Sequence, residues 1–503
     1  MRELELKFTV DAKRAAAVDA ALRRLPSKQS TIESHYHDTV DRRLAEAGLS
    51  LRLRKTGRAW EQTLKAGGES VVDRREETVP RPGRWGPQGP PIDICLHAGS
   101  VAGALLEAAL KGPGSTGAAL RPMCTSRIRR RTVELDACGA RIEIAFDRGV
   151  IVAAGASTPI CEVEYELKSG DARALVQVAR TGVLEHGLWL STISKFARGD
   201  RLARGAVHGP VTRAEPPRLD AAMSGAEIEQ AVLRSCLDQV LANASEVASG
   251  QFDEESAHQL RVGLRRTRTA ARELGALSAL PDSQWEGQLT GAFRALGVYR
   301  DRETVARSLQ ARLTTAGSPE PTLPPPAAAV PDPVAVVRDP GLQCALLEVL
   351  GSTLGPALAH GAAGVREDAA DADVGHTMRR IRSRLGKLDR ELKPMAKAFE
   401  ALDDSARHRV RKRLKRLRYL AELVGPLFDD RKVKRYLERL RPAQDALGTH
   451  NDLVVGLRMA QEAVDRGDAK AWFNVGWLTA AKTASATRCA KALVRAAQAR
   501  RFW

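Results

Sequence analysis

Aromatic residues are scarce, only 4% of a 503-residue chain. That disfavours single-strand nucleic-acid binding, which stacks bases on aromatic platforms. The 7 cysteines stand far apart, with no C-x-x-C pair of the kind that holds zinc or exchanges disulfides. A chain of this length buries ordinary cores without a covalent staple, so the thiols read as small buried side chains. No run of about 18 apolar residues occurs, which argues against a helical membrane span and a membrane partner. The opening Met1-Arg2-Glu3-Leu4-Glu5 lacks the basic and apolar regions of a signal peptide and predicts a cytoplasmic protein. Positive charge is what the chain has in excess. A net charge of +18 favours a polyanionic partner, and a ligand made only of phosphate needs no aromatics.

Alternation with period two at residues 3–9, 50–54, 60–65, 127–134, 141–147 and 160–168 predicts strands. Helical patterns at 12–25, 94–110 and 171–187 interrupt them, and residues 80–91 form a Pro/Gly loop. Residues 1–205 therefore read as an α+β domain. A proline-rich linker, 206–218, leads to amphipathic helical stretches over 219–503, an all-α domain. Within it, residues 315–340 carry too many prolines to continue a helix and read as a long loop. The flanking pieces, about 219–314 and 341–503, look like copies. His258, Arg261, Arg265, Arg266 and Arg268 match His408, Arg411, Lys415, Arg416 and Arg418 at an offset of 150, and Leu296, Gly297 and Asp301 match Leu447, Gly448 and Asp452 at 151. A duplicated helical unit packed about a pseudo-twofold axis accounts for the register.

Glu3, Glu5 and Lys7 share one face of their strand, with Leu4, Leu6 and Phe8 on the other. The same spacing recurs at Arg52 and Arg54, at Arg127, Arg129 and Arg131, and at Glu162, Glu164 and Glu166. One such strand is commonly a solvated sheet face. Several together, of both signs, fit a closed antiparallel β-barrel with a charged lumen, where carboxylates hold a divalent cation and Arg and Lys neutralise phosphate.

These residues resemble a known family, the CYTH domain or triphosphate tunnel metalloenzymes. Glu3-Leu4-Glu5-Leu6-Lys7 matches its E-x-E-x-K signature, and Tyr36-His37-Asp38-Thr39, Leu51-Arg52-Leu53-Arg54, Thr63-Leu64-Lys65, the run from Glu162 to Gly170 and Ser194-Lys195 follow in family order. His37 departs from the usual aromatic. The resemblance implies Mg²⁺ or Mn²⁺ held by Glu3, Glu5, Glu162 and Glu164, with Glu166 and either Glu76 or Glu77 as further candidates. Catalysis would fall to Glu3, Glu5 and Lys7, and Lys7, Arg52, Arg54, Lys65, Arg127, Arg129 and Lys195 would bind the substrate phosphates. It implies hydrolysis of inorganic triphosphate or a similar linear phosphate. Adenylate cyclase or thiamine triphosphatase chemistry on the same tunnel is the alternative.

On a helix His258, Arg261, Arg265 and Arg268 form one stripe, and His408, Arg411, Lys415 and Arg418 repeat it beside Lys412 and Arg416. Such dense like charge calls for a polyanion or acidic neighbours. The pattern resembles the CHAD domain, a conserved-histidine α-helical family, over about 219–503. That resemblance implies two quasi-symmetric helical-bundle units binding inorganic polyphosphate through His258, Arg261, Arg265, Arg266, Arg268, His408, Arg411, Lys412, Lys415, Arg416 and Arg418. A non-enzymatic role at polyphosphate granules is the rival reading, and nucleic acid is disfavoured. Asp301 and Asp452 are candidates for orienting an Arg or His.

Overall fold

The computed structural model describes residues 2–68, 70, 72–111, 119–275, 277, 285–300, 305–323, 330–354 and 367–503. Two compact units result. One comprises Met1–Thr212, Asp238–Ser256 and Val337–His360, the other Arg213–Leu237, Ala257–Val336 and Gly361–Trp503.

The first unit is built on β1 (Arg2–Thr9), β2 (Ser27–Asp38), β3 (Ser50–Thr56), β4 (Ala59–Gly67), β5 (Asp73–Pro80), β6 (Arg121–Ala137), β7 (Ala140–Ala153), β8 (Ala156–Ser169) and β9 (Trp189–Leu190). They form one sheet in the order β5-β4-β3-β2-β6-β7-β8-β1-β9, and β1 also pairs with β5. Every ladder is antiparallel. The barrel expected from the sequence is present but not strictly closed. Among the described residues its ends meet at Arg2↔Arg75, Glu3↔Arg74 and Leu4↔Asp73, and β9 takes the edge of β1 at Phe8 and Thr9.

Tight turns join β6 to β7 and β7 to β8, where Cys138 and Gly139, then Ala154 and Gly155, adopt the positive φ that two-residue hairpins demand. Strands β2 and β5 escape the alternation rule because both of their faces carry polar residues.

Around the sheet lie α1 (Ala15–Arg23), α2 (Arg43–Glu46), α3 (Val101–Leu110), α4 (Ala172–His186) and α5 (Lys195–Arg204). The helix expected over 94–110 is broken into a 3₁₀ turn, Ile94–His97, and α3. Gly99 at φ 80° ends the first, and the Ser100 hydroxyl caps the second by accepting from the Gly103 amide at 2.9 Å.

Beyond residue 212 the described chain is helical: α6 (Gly225–Ser249), α7 (Glu254–Leu274), α8 (Trp285–Arg300), α9 (Ala306–Thr315), α10 (Pro333–Arg338), α11 (Pro340–Thr353), α12 (Glu367–Ala398), α13 (Asp404–Val424), α14 (Asp430–Asp465) and α15 (Ala471–Ala497). Helix α10 corrects the long loop expected over 315–340. Asp332 caps it by accepting from the Val334 and Ala335 amides, and Pro333 fits the first turn, where its missing N–H is not needed. The second half of α6 and all of α11 fall in the first unit, where α11 packs along α4. In the second unit, Leu309, Leu313, Leu453, Leu457 and Leu478 form a core joining α9, α14 and α15. Among the described residues no helix is long and apolar enough to cross a membrane.

Candidate functional site

Strand register decides which side chains face the lumen, because directly opposed residues share a face. Lys7 opposes Glu164 and Glu5 opposes Glu166. Asp147 opposes Glu162 and Arg130 opposes Asp147. Across the ring, Arg52 opposes Tyr36, Arg54 opposes Glu61 and Lys65 opposes Glu76. One inner face thus carries acids and bases contributed by β1 and by β3 to β8, with the Tyr36 phenol from β2.

The acidic side centres on Lys195, the first residue of α5. Its ammonium lies 2.8 Å from Asp147 Oδ2 and 2.7 Å from Glu164 Oε1, and it also contacts Glu162. Arg130 grips Asp147 with two bonds of 2.7 Å and touches Glu164. Asp147, Glu162 and Glu164 bring ligand oxygens within 4.8 Å of one another, a set of hard donors that fits a divalent cation. Burial opposes charge on Lys195, but Asp147, Glu162 and Glu164 outweigh it and hold its pKa well above the usual lysine range. Burial likewise works against the Glu164 carboxylate, and Lys195 and Arg130 keep it well below the usual range.

On the opposite wall Lys65 bridges Glu3, at 3.3 Å, and Glu76, while Arg52 stands 3.5 Å from Glu76. Burial lifts Glu3 to about 8 despite Lys65, with the Glu76 and Glu5 carboxylates adding to the rise. Burial also depresses Arg54 to about 10, helped by the Arg52 and Arg130 charges. The lumen therefore holds closely spaced cations beside closely spaced carboxylates.

Glu3, Glu5, Lys7, Arg52, Arg54, Lys65, Glu162, Glu164 and Lys195 come together on this surface. Arg127 and Arg129 do not: both are exposed, and Arg127 bonds Glu33 on the outside at 3.3 Å. Their neighbour Arg131 meets Asp19 of α1, which marks the odd-numbered face of β6 as the outer one. The inward face runs Cys124, Ser126, Ile128, Arg130. Its apolar end clusters with Ile32, Ile151 and Phe196, so α5 fills that end of the lumen and Arg130 emerges beside Lys195. Counting charged alternation therefore selects the wrong face of β6, and both Arg130 and Asp147 were missed. The signal available for Asp147 is its phase with Glu143 along β7. The choice between Glu76 and Glu77 also resolves, since Glu77 points out to His97 Nδ1 at 3.1 Å and to the Ser100 hydroxyl at 2.8 Å.

The close approach of α5 depends on Gly199, where a Cβ would stand 2.1 Å from Cys124 Sγ. Only glycine lets the helix lie on β6 at this height.

In the helical unit both basic stripes line one groove of about 1310 Å³, with His258, Arg261, Arg265 and Arg268 from α7 facing His408, Arg411, Lys412, Lys415 and Arg418 from α13. The copies differ in what supports them. Arg261, Arg265 and Arg268 gather around the Phe293 ring at 4.9, 4.7 and 5.9 Å. Arg418 instead bonds Glu422 at 2.7 Å and Gln444 at 2.5 Å. Arg266 is 2% exposed and donates to the Glu215 carbonyl at 3.1 Å, a bracing role. Arg416 lies 3.5 Å from Glu273. His408 Nδ1 meets Asn451 Oδ1 at 3.3 Å; this partner is the neighbour of Asp452. Asp301 lies outside the described residues. Burial, then Lys412 and Arg411, depress the His408 pKa.

A β-tunnel lined by both signs of charge, joined to a helical unit with a basic groove, is the class of molecule these features define. The chain carries a CYTH domain, whose family model matches residues 1–199, followed by a CHAD domain, matched at 231–461. An inorganic triphosphatase from Haemophilus influenzae is 26% identical over 205 residues, which cover 40% of this chain and 54% of that protein. The match thus spans about half the length of that relative. Among solved structures, the CHAD domain from the plant Ricinus communis is 27% identical, covering 59% of this chain and 98% of its own with a TM-score of 0.45. A candidate adenylyl cyclase from Hippeastrum with a dominant triphosphatase activity is 17% identical, covering 40% of this chain and 96% of its own, TM-score 0.30.

Proposed function

We propose that the tunnel hydrolyses inorganic triphosphate or a similar linear phosphate with Mg²⁺ or Mn²⁺, and that the helical groove binds inorganic polyphosphate. The observation that carries this reading is the meeting, on one inner surface, of the carboxylates Asp147, Glu162 and Glu164 with Arg52, Arg54, Arg130, Lys65 and Lys195. Both signs are needed where a polyanion and its counter-cation bind side by side. Asp147, Glu162 and Glu164, with Glu3 and Glu5 nearby on β1, would hold the cation, which supplies charge neutralisation on phosphate oxygens when bound. Arg52, Arg54, Arg130 and Lys65 orient the chain and offset the charge that builds on the leaving phosphate. Water attacks a terminal phosphorus, the bridging P–O bond breaks, and orthophosphate and diphosphate leave. Catalysis in such a lumen is positioning and electrostatics, with no covalent step required of the protein.

A panel measuring metal-dependent phosphate release from triphosphate, long polyphosphate, ATP and thiamine triphosphate tests the tunnel. Triphosphate should be the preferred substrate, and release should stop when a chelator is added. Equal or faster turnover of ATP or thiamine triphosphate would reassign the substrate, and no release from any of the four would leave the tunnel a binding module. Titration of the full chain with polyphosphate and with duplex DNA at matched salt tests the groove. Preference for DNA would overturn that half of the reading.

A further inference from the structure

The seam of the sheet exposes a weakness that the rest of the chain covers. After Leu4, β1 leaves β5, and the Glu5 amide donates to the carbonyl of Val72, just ahead of β5, at 3.2 Å. Its edge is then taken by residues 189–193. The Ser191 amide donates to the Lys7 carbonyl at 2.9 Å, and the Lys7 ammonium donates to the Ile193 carbonyl. Glu5, Lys7 and Thr192 here surround a cavity of about 20 Å³, and its outer wall includes Leu241 of α6. A helix that begins 21 residues after α5 ends therefore closes this cavity beside Glu5 and Lys7, the last two charged residues of the E-x-E-x-K face.

The 189–193 segment has few sheet partners of its own, and buried amides must find acceptors. Side chains from the later helices supply them. The Ser245 hydroxyl accepts from the Thr192 amide at 2.9 Å, and Gln343, 1% exposed, accepts from the Leu190 amide at 2.8 Å. Gln343 is itself fixed by its bond to the Val337 carbonyl, 2.6 Å. Glu246 takes Arg201 of α5 in a two-pronged grip, one bond of 2.9 Å and one shorter, and also accepts from the Gly209 amide at 3.2 Å. Arg201 rides on the helix that begins with Lys195.

We propose that Ser245, Glu246 and Gln343 are positioning residues of the tunnel, holding the 189–193 segment and α5 so that Lys7 and Lys195 keep their places in the lumen. The inference rests on the tunnel acting on a linear triphosphate, and it makes the second half of α6, together with α11, a working wall of that site. None of the three touches substrate; each acts through a backbone segment or helix that does.

The test uses the full chain with the variants Glu246→Gln, Ser245→Ala and Lys195→Met, and the double variant of the first and last. Triphosphate turnover and calorimetric triphosphate affinity are both measured at a temperature where circular dichroism shows each protein folded. Folded Glu246→Gln should lose about 10- to 100-fold in kcat/KM, the scale of a small displacement of a binding group. In the double variant the two losses should fall well short of multiplying, because both reach substrate through Lys195. Should Glu246→Gln not fold, Ser245→Ala, which removes a single hydroxyl, should still raise KM severalfold with kcat nearly unchanged. Wild-type kinetics in folded variants, or losses that multiply, would overturn the positioning role. A wild type that binds triphosphate without turning it over puts the same comparison on affinity. A wild type that does neither removes the triphosphatase reading itself.

Discussion

Arg130 is 15% exposed at its side chain and is held by Asp147 and Glu164, whereas Arg127 is 70% exposed on the other face of the same strand. One residue of phase separates them, and phase is what the sequence does not state. Alternation shows that β6 has a charged face but not which way that face points, since the lumen side changes along the strand from apolar, against α5, to charged. The E-x-E-x-K run and the Glu162 and Glu164 pair were legible because their charges fall on one face only, with Leu4, Leu6, Val163 and Tyr165 on the other, whereas β6 carries arginine on both faces. Arg130→Ala should therefore lower kcat/KM for triphosphate by about 100-fold, the usual scale for removing a charge-stabilising donor. Arg127→Ala and Arg129→Ala should stay near wild type, and the reverse pattern in phosphate-release assays would mean that the odd-numbered face lines the lumen. A second residue-scale effect concerns stability. His450, 3% exposed and edge-on to Phe399, is pushed by burial, and then by Arg407, from 6.5 down to about 4. The folded state thus favours the neutral ring, so its contribution is fully present above pH 6.5 and is lost as pH falls towards 4. The loss should be on the order of 3 kcal/mol. Urea unfolding at pH 7 and pH 4.5 should show a smaller acid-induced drop for His450→Phe than for wild type; identical drops would refute the assignment.

At the scale of elements, the two basic helices were legible as a duplicated stripe, and the structure sets α7 and α13 on one groove. What the repeat conceals is their inequality. Phe293 supports three guanidinium groups in the first copy, and at an offset of 151 its counterpart is Gln444, which accepts from Arg418. Gly297 also has a use its counterpart lacks, because a Cβ there would stand 3.1 Å from the Arg261 guanidinium, whereas one at Gly448 would meet nothing within 4 Å. Pattern matching finds the shared residues and misses these, since they differ between the copies. If both helices grip one polyanion, replacing Arg261, Arg265 and Arg268 with Ala should reduce the salt slope of polyphosphate binding by about 2 to 3. Replacing Arg411, Lys415 and Arg418 should do the same. Arg266→Ala should instead destabilise the unit and leave the slope unchanged, because its guanidinium is spent on the Glu215 carbonyl. Isothermal titration at several salt concentrations distinguishes these outcomes, and an unchanged slope in both triple variants would make the stripes a solvated surface.

For the whole molecule, chain order and compactness diverge. Composition changes near residue 206, yet the unit that holds the sheet also takes Asp238–Ser256 and Val337–His360. No periodicity could have shown this, because a helix face that packs on a neighbouring helix reads the same whichever part of the chain supplies the neighbour. Cutting the chain at the composition boundary would remove the acceptors of the Leu190 and Thr192 amides and the partner of Arg201. It would also bare α4 where α11 packs on it. In the complementary piece, Leu241, Val247, Leu346 and Leu347, all within 1% of full burial in the intact chain, would face water. Each such side chain is worth roughly 1.5–3 kcal/mol of burial, more in sum than the margin of about 5–15 kcal/mol by which a domain is ordinarily stable can comfortably lose. With α4 bared and Leu190, Thr192 and Arg201 stripped of their partners, residues 1–205 made alone should bind an apolar dye, aggregate at modest concentration and release little phosphate, and co-expression with residues 219–503 should restore activity. A monomeric 1–205 fragment with the kcat/KM of the full chain would show that the later helices only rest on the tunnel and do not complete it.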